Sequence, residues 1–168
     1  LSLNINLDWL SAKNPPMLGL DISTTSVKLV ELEELGKGRY KVERYAVEPL
    51  PRDAVVDGSI ANVDQVSEAV RNALARMGTR IRHVALALPA ASVITKKVVA
   101  PAALKGVDLE RQVETEANQA IPFSLDEVNL DFQVLGPLEG NPDDVEVLLA
   151  AARKEKVEDR VAVAEAAG

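Results

Sequence analysis

The sequence predicts an α/β fold built as two small units, and three observations predict it. Short runs of Val, Leu and Ile alternate with period two, as strands do, at several places along the chain. Between them lie longer stretches whose apolar residues recur every three or four positions, as on one face of a helix. Pro89 then divides the elements into two successive sets, within a chain of 168 residues that can bury one core or two small ones.

In chain order, residues 17–50 read as three strands. Residues 17–22 are a compact apolar run. Val27, Leu29 and Glu31 alternate with Lys28, Val30 and Leu32, and Gly36-Lys37-Gly38 makes the turn into residues 40–47. Pro49 and Pro51 end that strand. Asn62 starts a helix with Val63, Val66, Val70, Leu74 and Met77 on one stripe, and Gly78 stops it. Residues 83–88 form a short apolar strand ending at Pro89. This strand–helix–strand order predicts a parallel or mixed sheet.

The second set opens with a strand over residues 92–100, rich in Val, Ile and Thr. Asp108 is the expected cap of a helix carrying Leu109, Val113, Ala117 and Ala120 inward, and Ile121-Pro122-Phe123 ends it. Residues 128–135 and 145–151 are the next strands. A helix over residues 154–167, with Val157, Val161 and Ala164 inward, finishes at Gly168. The second unit is thus β-α-β-β-α.

Composition narrows the function. The net charge of −7 argues against nonspecific binding to nucleic acid or to anionic membrane surfaces. Aromatic residues are only 3%, so the stacking platforms of single-strand binders are missing. With no cysteine there is no disulfide, thiolate zinc site or Cys nucleophile, which fits a reducing compartment. No apolar run reaches the roughly 18 residues of a membrane-spanning helix, and the N-terminus lacks a signal peptide's basic flank. A soluble, cytoplasmic protein is expected.

The most informative segment is Gly-Leu-Asp-Ile-Ser-Thr-Thr-Ser-Val-Lys at residues 19–28. A strand delivers Asp21, small and hydroxyl residues turn the chain, and Lys28 follows on the outgoing strand. Ser23, Thr24 and Thr25 permit a tight turn whose backbone N–H groups can converge on a phosphate. Asp21 suits a hydrated Mg²⁺ and Lys28 suits phosphate charge. The plain alternative is a hairpin turn in which the hydroxyls satisfy local backbone. Neither GxxxxGK[ST] nor GxGxxG is present.

This segment resembles the first phosphate loop of the actin-like ATPase superfamily, with Ser23 where members often carry Gly. LGLDISTTSVKLVEL resembles the start of the PilM family of type IV pilus assembly proteins. The resemblance continues through residues 38–50, Val93-Ile94-Thr95-Lys96, Ile121-Pro122-Phe123 and residues 148–154. It implies an actin-like (ribonuclease H-like) subdomain 1A over residues 17–88 and a small subdomain 1C over residues 89–168, the arrangement shared with FtsA. It also implies ATP and Mg²⁺ as ligands of a full-length parent, with Asp21 (through Mg-bound water), Ser23, Thr24, Thr25 and Lys28 on the first wall. The chain stops before the second wall, so weak or no nucleotide binding is expected of it alone.

By the same resemblance the protein is a scaffold peripheral to the inner membrane. It binds the N-terminal peptide of PilN, itself complexed with PilO, and docks pilus motor ATPases. No catalytic residue is assigned: nothing here positions a water against a γ-phosphate, and His83, the only histidine, precedes an apolar strand. The alternatives are an ATPase or phosphotransferase of the actin/sugar-kinase superfamily, and an FtsA-like filament former.

Residues 1–16, LSLNINLDWLSAKNPP, are read as an extended tail, apolar at Leu1, Leu3, Ile5, Leu7 and Trp9 and polar between. Ile5, Asn6, Leu7 and Trp9 resemble the cytoplasmic motif of PilN. A tail that mimics the partner is one reading, and a loosely docked terminus is the other.

Overall fold

The computed structural model describes residues 16–168, so the tail motif at Ile5, Asn6, Leu7 and Trp9 lies outside the described residues. The first unit contains β1 (Leu18–Ile22), β2 (Ser26–Gly36), β3 (Arg39–Pro49), β4 (Val55–Val56), β5 (Ser59–Ile60), α1 (Val63–Met77) and β6 (Val84–Leu86). Its main sheet has the order β3-β2-β1-β6, with β6 parallel to β1 and the other pairs antiparallel. The mixed sheet follows from the strand–helix–strand order: a helix between two strands brings the second back in the direction of the first.

Period two places Leu18, Leu20 and Ile22 of β1 with Val27 and Leu29 of β2 on one face, and α1 covers them with Val66, Ala69, Val70, Ala73 and Met77. Local chemistry sets the ends of α1. The Asn62 side chain accepts from the Gln65 N–H, and Gly78, at φ 63°, donates its own N–H to the Leu74 carbonyl. Among the described residues nothing covers the opposite face of the sheet, which is the open face. Glu43 has no cross-strand partner, because Arg44 pairs with Glu31 while Val42 pairs with Leu32. This bulge keeps Tyr40, Val42, Tyr45 and Val47 on the open face, and all four are exposed.

The second unit contains β7 (Val93–Pro101), α2 (Val107–Ala120), β8 (Val128–Leu138) and β9 (Asn141–Arg153). These strands form an antiparallel sheet of order β7-β9-β8, and α2 lies on one face. Val113 and Ala117 of α2 bury against Val147, Leu149 and Ala151 of the central strand. Strands β8 and β9 run further than the sequence suggests because Glu139-Gly140 joins them in a hairpin past a register shift near Gly136.

Two local expectations are corrected. The residue that caps α2 is Gly106, at φ 55°, and Asp108 sits inside the first turn, where its charge faces the helix dipole without a capping bond. The last helix, α3 (Lys154–Ala167), buries Arg160 and Val163, whereas Val161 is exposed. The reason is where α3 packs. It follows β9 without a loop, yet Val163 and Ala167 join the core of the first unit. Sequence order grouped this helix with the second unit; in space it ties the two together.

Candidate functional site

Asp21 and Lys28 are direct cross-strand partners at the top of the β1–β2 hairpin. The Lys28 ammonium donates to Asp21 Oδ2 at 2.7 Å, and both side chains are more than half exposed. Period two points them to the open face, where they border a groove of about 470 Å³. Its floor is small (Gly19, Ala85 and Ala87) and its rim includes Tyr45 and Val47.

The turn above is closed by Ser23. Its N–H donates to the Ser26 carbonyl at 3.0 Å and its hydroxyl to the same oxygen at 2.9 Å. The Thr25 carbonyl accepts the Leu50 N–H at 2.9 Å, which fastens the turn to the end of β3. No bond among the described residues takes up the N–H groups of Thr24 and Thr25. Of the five residues singled out in the sequence, Thr24 and Thr25 present N–H groups with no partner among the described residues, Asp21 and Lys28 present an exposed, exchangeable pair, and Ser23 shapes the turn. These donors fit one wall of a phosphate site with a single carboxylate beside it. Among the described residues no three acidic or histidine side chains cluster as a metal site, so a cation at Asp21 would take its other ligands from phosphate and water.

A second concavity, of about 360 Å³, lies where the two units meet. Its apolar floor is Ala91, Ile94, Phe123, Val128 and Ala151, from the second unit, and its rim is Asp57, Ser59, Ser92, Arg153 and Lys156. The rim depends on β4 and β5, a hairpin turning at Asp57-Gly58 with φ 48° and 76°. Sequence reading passed over this hairpin. An Asp-Gly pair flanked by Val55-Val56 and Ile60 is the signal that could have found it, since both central residues need positive φ.

α3 holds the hairpin in place. Lys156 donates to Ser59 Oγ at 2.7 Å. One turn later Arg160, only 2% exposed, donates through Nε to the Ala87 carbonyl at 3.2 Å and through Nη2 to the Gly58 carbonyl at 3.1 Å. Its Nη1 is buried with no partner among the described residues. Burial holds the Arg160 pKa below the usual arginine value, with the carboxylates of Asp159 and Asp21 opposing the shift; the group remains a cation at neutral pH. Arg160 thus touches both the hairpin and the exit of β6, and feels the charge of Asp21. A lone Arg in an apolar helical stripe gave no sequence signal of this role.

A mixed-sheet α/β unit with an Asp-tipped strand–turn–strand, carrying a second small α/β unit after β6, is consistent with the actin-like fold. The family model described as type IV pilus assembly protein PilM matches residues 19–168. A solved structure described as the "PilM-PilN type IV pilus biogenesis complex" superposes with a TM-score of 0.78 at 31% identity, over 93% of this chain and 46% of that one. The chain belongs to the PilM family, and it spans about half the length of that solved relative.

Proposed function

We propose that this chain is part of a cytoplasmic, actin-like scaffold of the type IV pilus inner-membrane platform. Residues 17–88 correspond to subdomain 1A and residues 89–168 to subdomain 1C, with α3 bracing the first. The groove between the units binds the N-terminal peptide of a PilN-type membrane partner, and through it the complex with PilO; the whole protein also docks the pilus motor ATPases. The chain reaches the membrane through that partner: among the described residues no helix is long and apolar enough to cross it.

The observation that carries this reading is the groove itself. An apolar floor with a polar rim, walled by both units, suits an extended peptide whose side chains alternate. The similarity to a chain solved in a complex with PilN supports the choice of partner. In the whole protein the Asp21 turn would hold the phosphates of Mg-ATP. Thr24 and Thr25 would offer N–H groups to phosphate, Ser23 shapes the turn, Lys28 would supply positive charge to phosphate, and Asp21 would accept from Mg-bound water. Bound nucleotide would supply the phosphate charge that these groups hold, and on this reading the scaffold acts by binding, not by catalysis.

Calorimetric titration of a PilN-type N-terminal peptide into the chain tests this. Saturable 1:1 binding that Ala91→Trp, which fills the groove, abolishes is the expected result. Binding indifferent to Ala91→Trp places the partner elsewhere and refutes the groove assignment.

A further inference from the structure

Lys156 stands out on the groove rim. Its side chain is only 22% exposed, and its bond across the rim goes to a neutral hydroxyl, Ser59 Oγ at 2.7 Å. It also donates to a carboxylate, Glu155 Oε1, but at the longer distance of 3.4 Å, and Glu155 is 60% exposed and does not line the groove. Arg153, the second cation of the rim, lies over the Phe123 ring at 5.8 Å and reaches Glu155 at 3.8 Å. Asp57 is the one carboxylate lining the groove among the described residues, and it forms no ion pair there with either cation. An ammonium whose shortest bond goes to a hydroxyl, and whose one carboxylate partner is exposed and 3.4 Å away, gains from a closer carboxylate inside the groove, where low exposure limits screening.

We infer that Lys156 is a specificity-determining residue of the groove: it recognises a carboxylate on the bound peptide, positioned between two apolar residues that enter the floor. The inference rests on the proposed peptide groove and adds the chemistry of its occupant. Period two permits this placement. In an extended peptide, residues that flank a given position point to the opposite side, so two floor anchors turn the side chain between them out of the floor, toward the level of the rim. The carboxylate takes the Lys156 ammonium from Ser59, whose hydroxyl is then free to bond peptide backbone. Glu155 tempers the positive rim from outside, so a single carboxylate, not an acidic run, is the preferred pattern.

Residues 3–9 of this chain, Leu-Asn-Ile-Asn-Leu-Asp-Trp, have the required pattern, with Asp8 between Leu7 and Trp9. The test uses this sequence as an acetylated, amidated synthetic peptide, and the same peptide with Asn in place of Asp8. The 168-residue chain carries Asp8→Asn throughout, so its own tail offers no carboxylate at that position. Affinities are measured by calorimetry for this chain, and for it with Lys156→Gln or Ala91→Trp added.

The Asp peptide is expected to bind about tenfold tighter than the Asn peptide, the scale of one charge-assisted bond. Lys156→Gln should erase that ratio by weakening the Asp peptide alone, and 0.5 M salt should shrink it. A ratio near one, or a tenfold ratio that survives Lys156→Gln, overturns the inference while leaving the groove intact if Ala91→Trp still blocks both peptides. Binding unaffected by Ala91→Trp, or no binding of either peptide, overturns the groove reading and the inference together.

Discussion

Replacing Arg160 with Met removes the fastening between α3, the β4–β5 hairpin and the exit of β6 while nearly keeping side-chain volume. Two charge-assisted bonds are lost, to the Ala87 and Gly58 carbonyls at 3.2 and 3.1 Å. Each is worth about 1.5–3 kcal/mol, so the gross loss is about 3–6 kcal/mol. Against this stands the relief of a buried cation whose Nη1 has no partner and whose pKa burial already lowers. Replacement of buried ionic groups by apolar ones of similar volume can itself be neutral or stabilising. Two carbonyls left without donors tilt the balance, and a net destabilisation of about 2–4 kcal/mol is expected. Urea unfolding followed by circular dichroism reads this directly. With a slope of about 2 kcal/mol/M, the midpoint should fall by about 1–2 M. Lys at this position keeps the charge but reaches fewer carbonyls, and should fall in between. A Met variant within 0.5 kcal/mol of the parent would refute the reasoning, since the two bonds would then contribute nothing net.

Lys28→Gln should leave stability within about 0.5 kcal/mol, because the Lys28–Asp21 pair is exposed on both sides; a loss above 2 kcal/mol in the same unfolding assay would make the pair structural, not held for a ligand. Glu43 has its pKa lowered, chiefly by the hydrogen bond from Lys41, so its contribution is present above the unfolded value of 4.5 and is lost as pH falls through the folded value. Thermal unfolding between pH 2 and 7 should therefore show a steeper acid limb for the parent than for Glu43→Gln, and coincident limbs would contradict the ion pair. Removing residues 1–16 should tighten a PilN-type peptide's calorimetric affinity if the tail competes for the groove, and unchanged affinity would dismiss the mimicry.

Much of this architecture was legible because local chemistry and tertiary packing agree. Asn62 and Gly78 bound α1 in sequence and in space, and the period-two runs of β1 and β2 sort core from surface. Period two also placed Asp21 and Lys28 on one strand pair, with the register then making them partners. Where the reading failed, a distant contact decided. The α3 stripe was assigned by apolarity, which favours Val161, but the helix is oriented by Val163 in the first core and by Arg160 on two backbone carbonyls. Carbonyl acceptors far along the chain leave no mark on side-chain periodicity. Asp108 matched a capping preference, yet Gly106 at φ 55° had already started the helix. The rim of the groove was hidden for a related reason: Ser59 is far along the chain from Arg153 and Lys156 and meets them only once α3 grips the hairpin.

The most direct test of the scaffold reading is a map of amide shifts in the chain's two-dimensional NMR spectrum as a PilN-type N-terminal peptide is added. The account predicts saturable shifts concentrated at the inter-unit groove: Asp57, Ser59, Ser92, Ile94, Phe123 and Lys156, with a weaker response at Gly58 and Ala87 through Arg160. Shifts gathered instead on the open sheet face at Tyr45 and Val47, or none at saturating peptide, would contradict it.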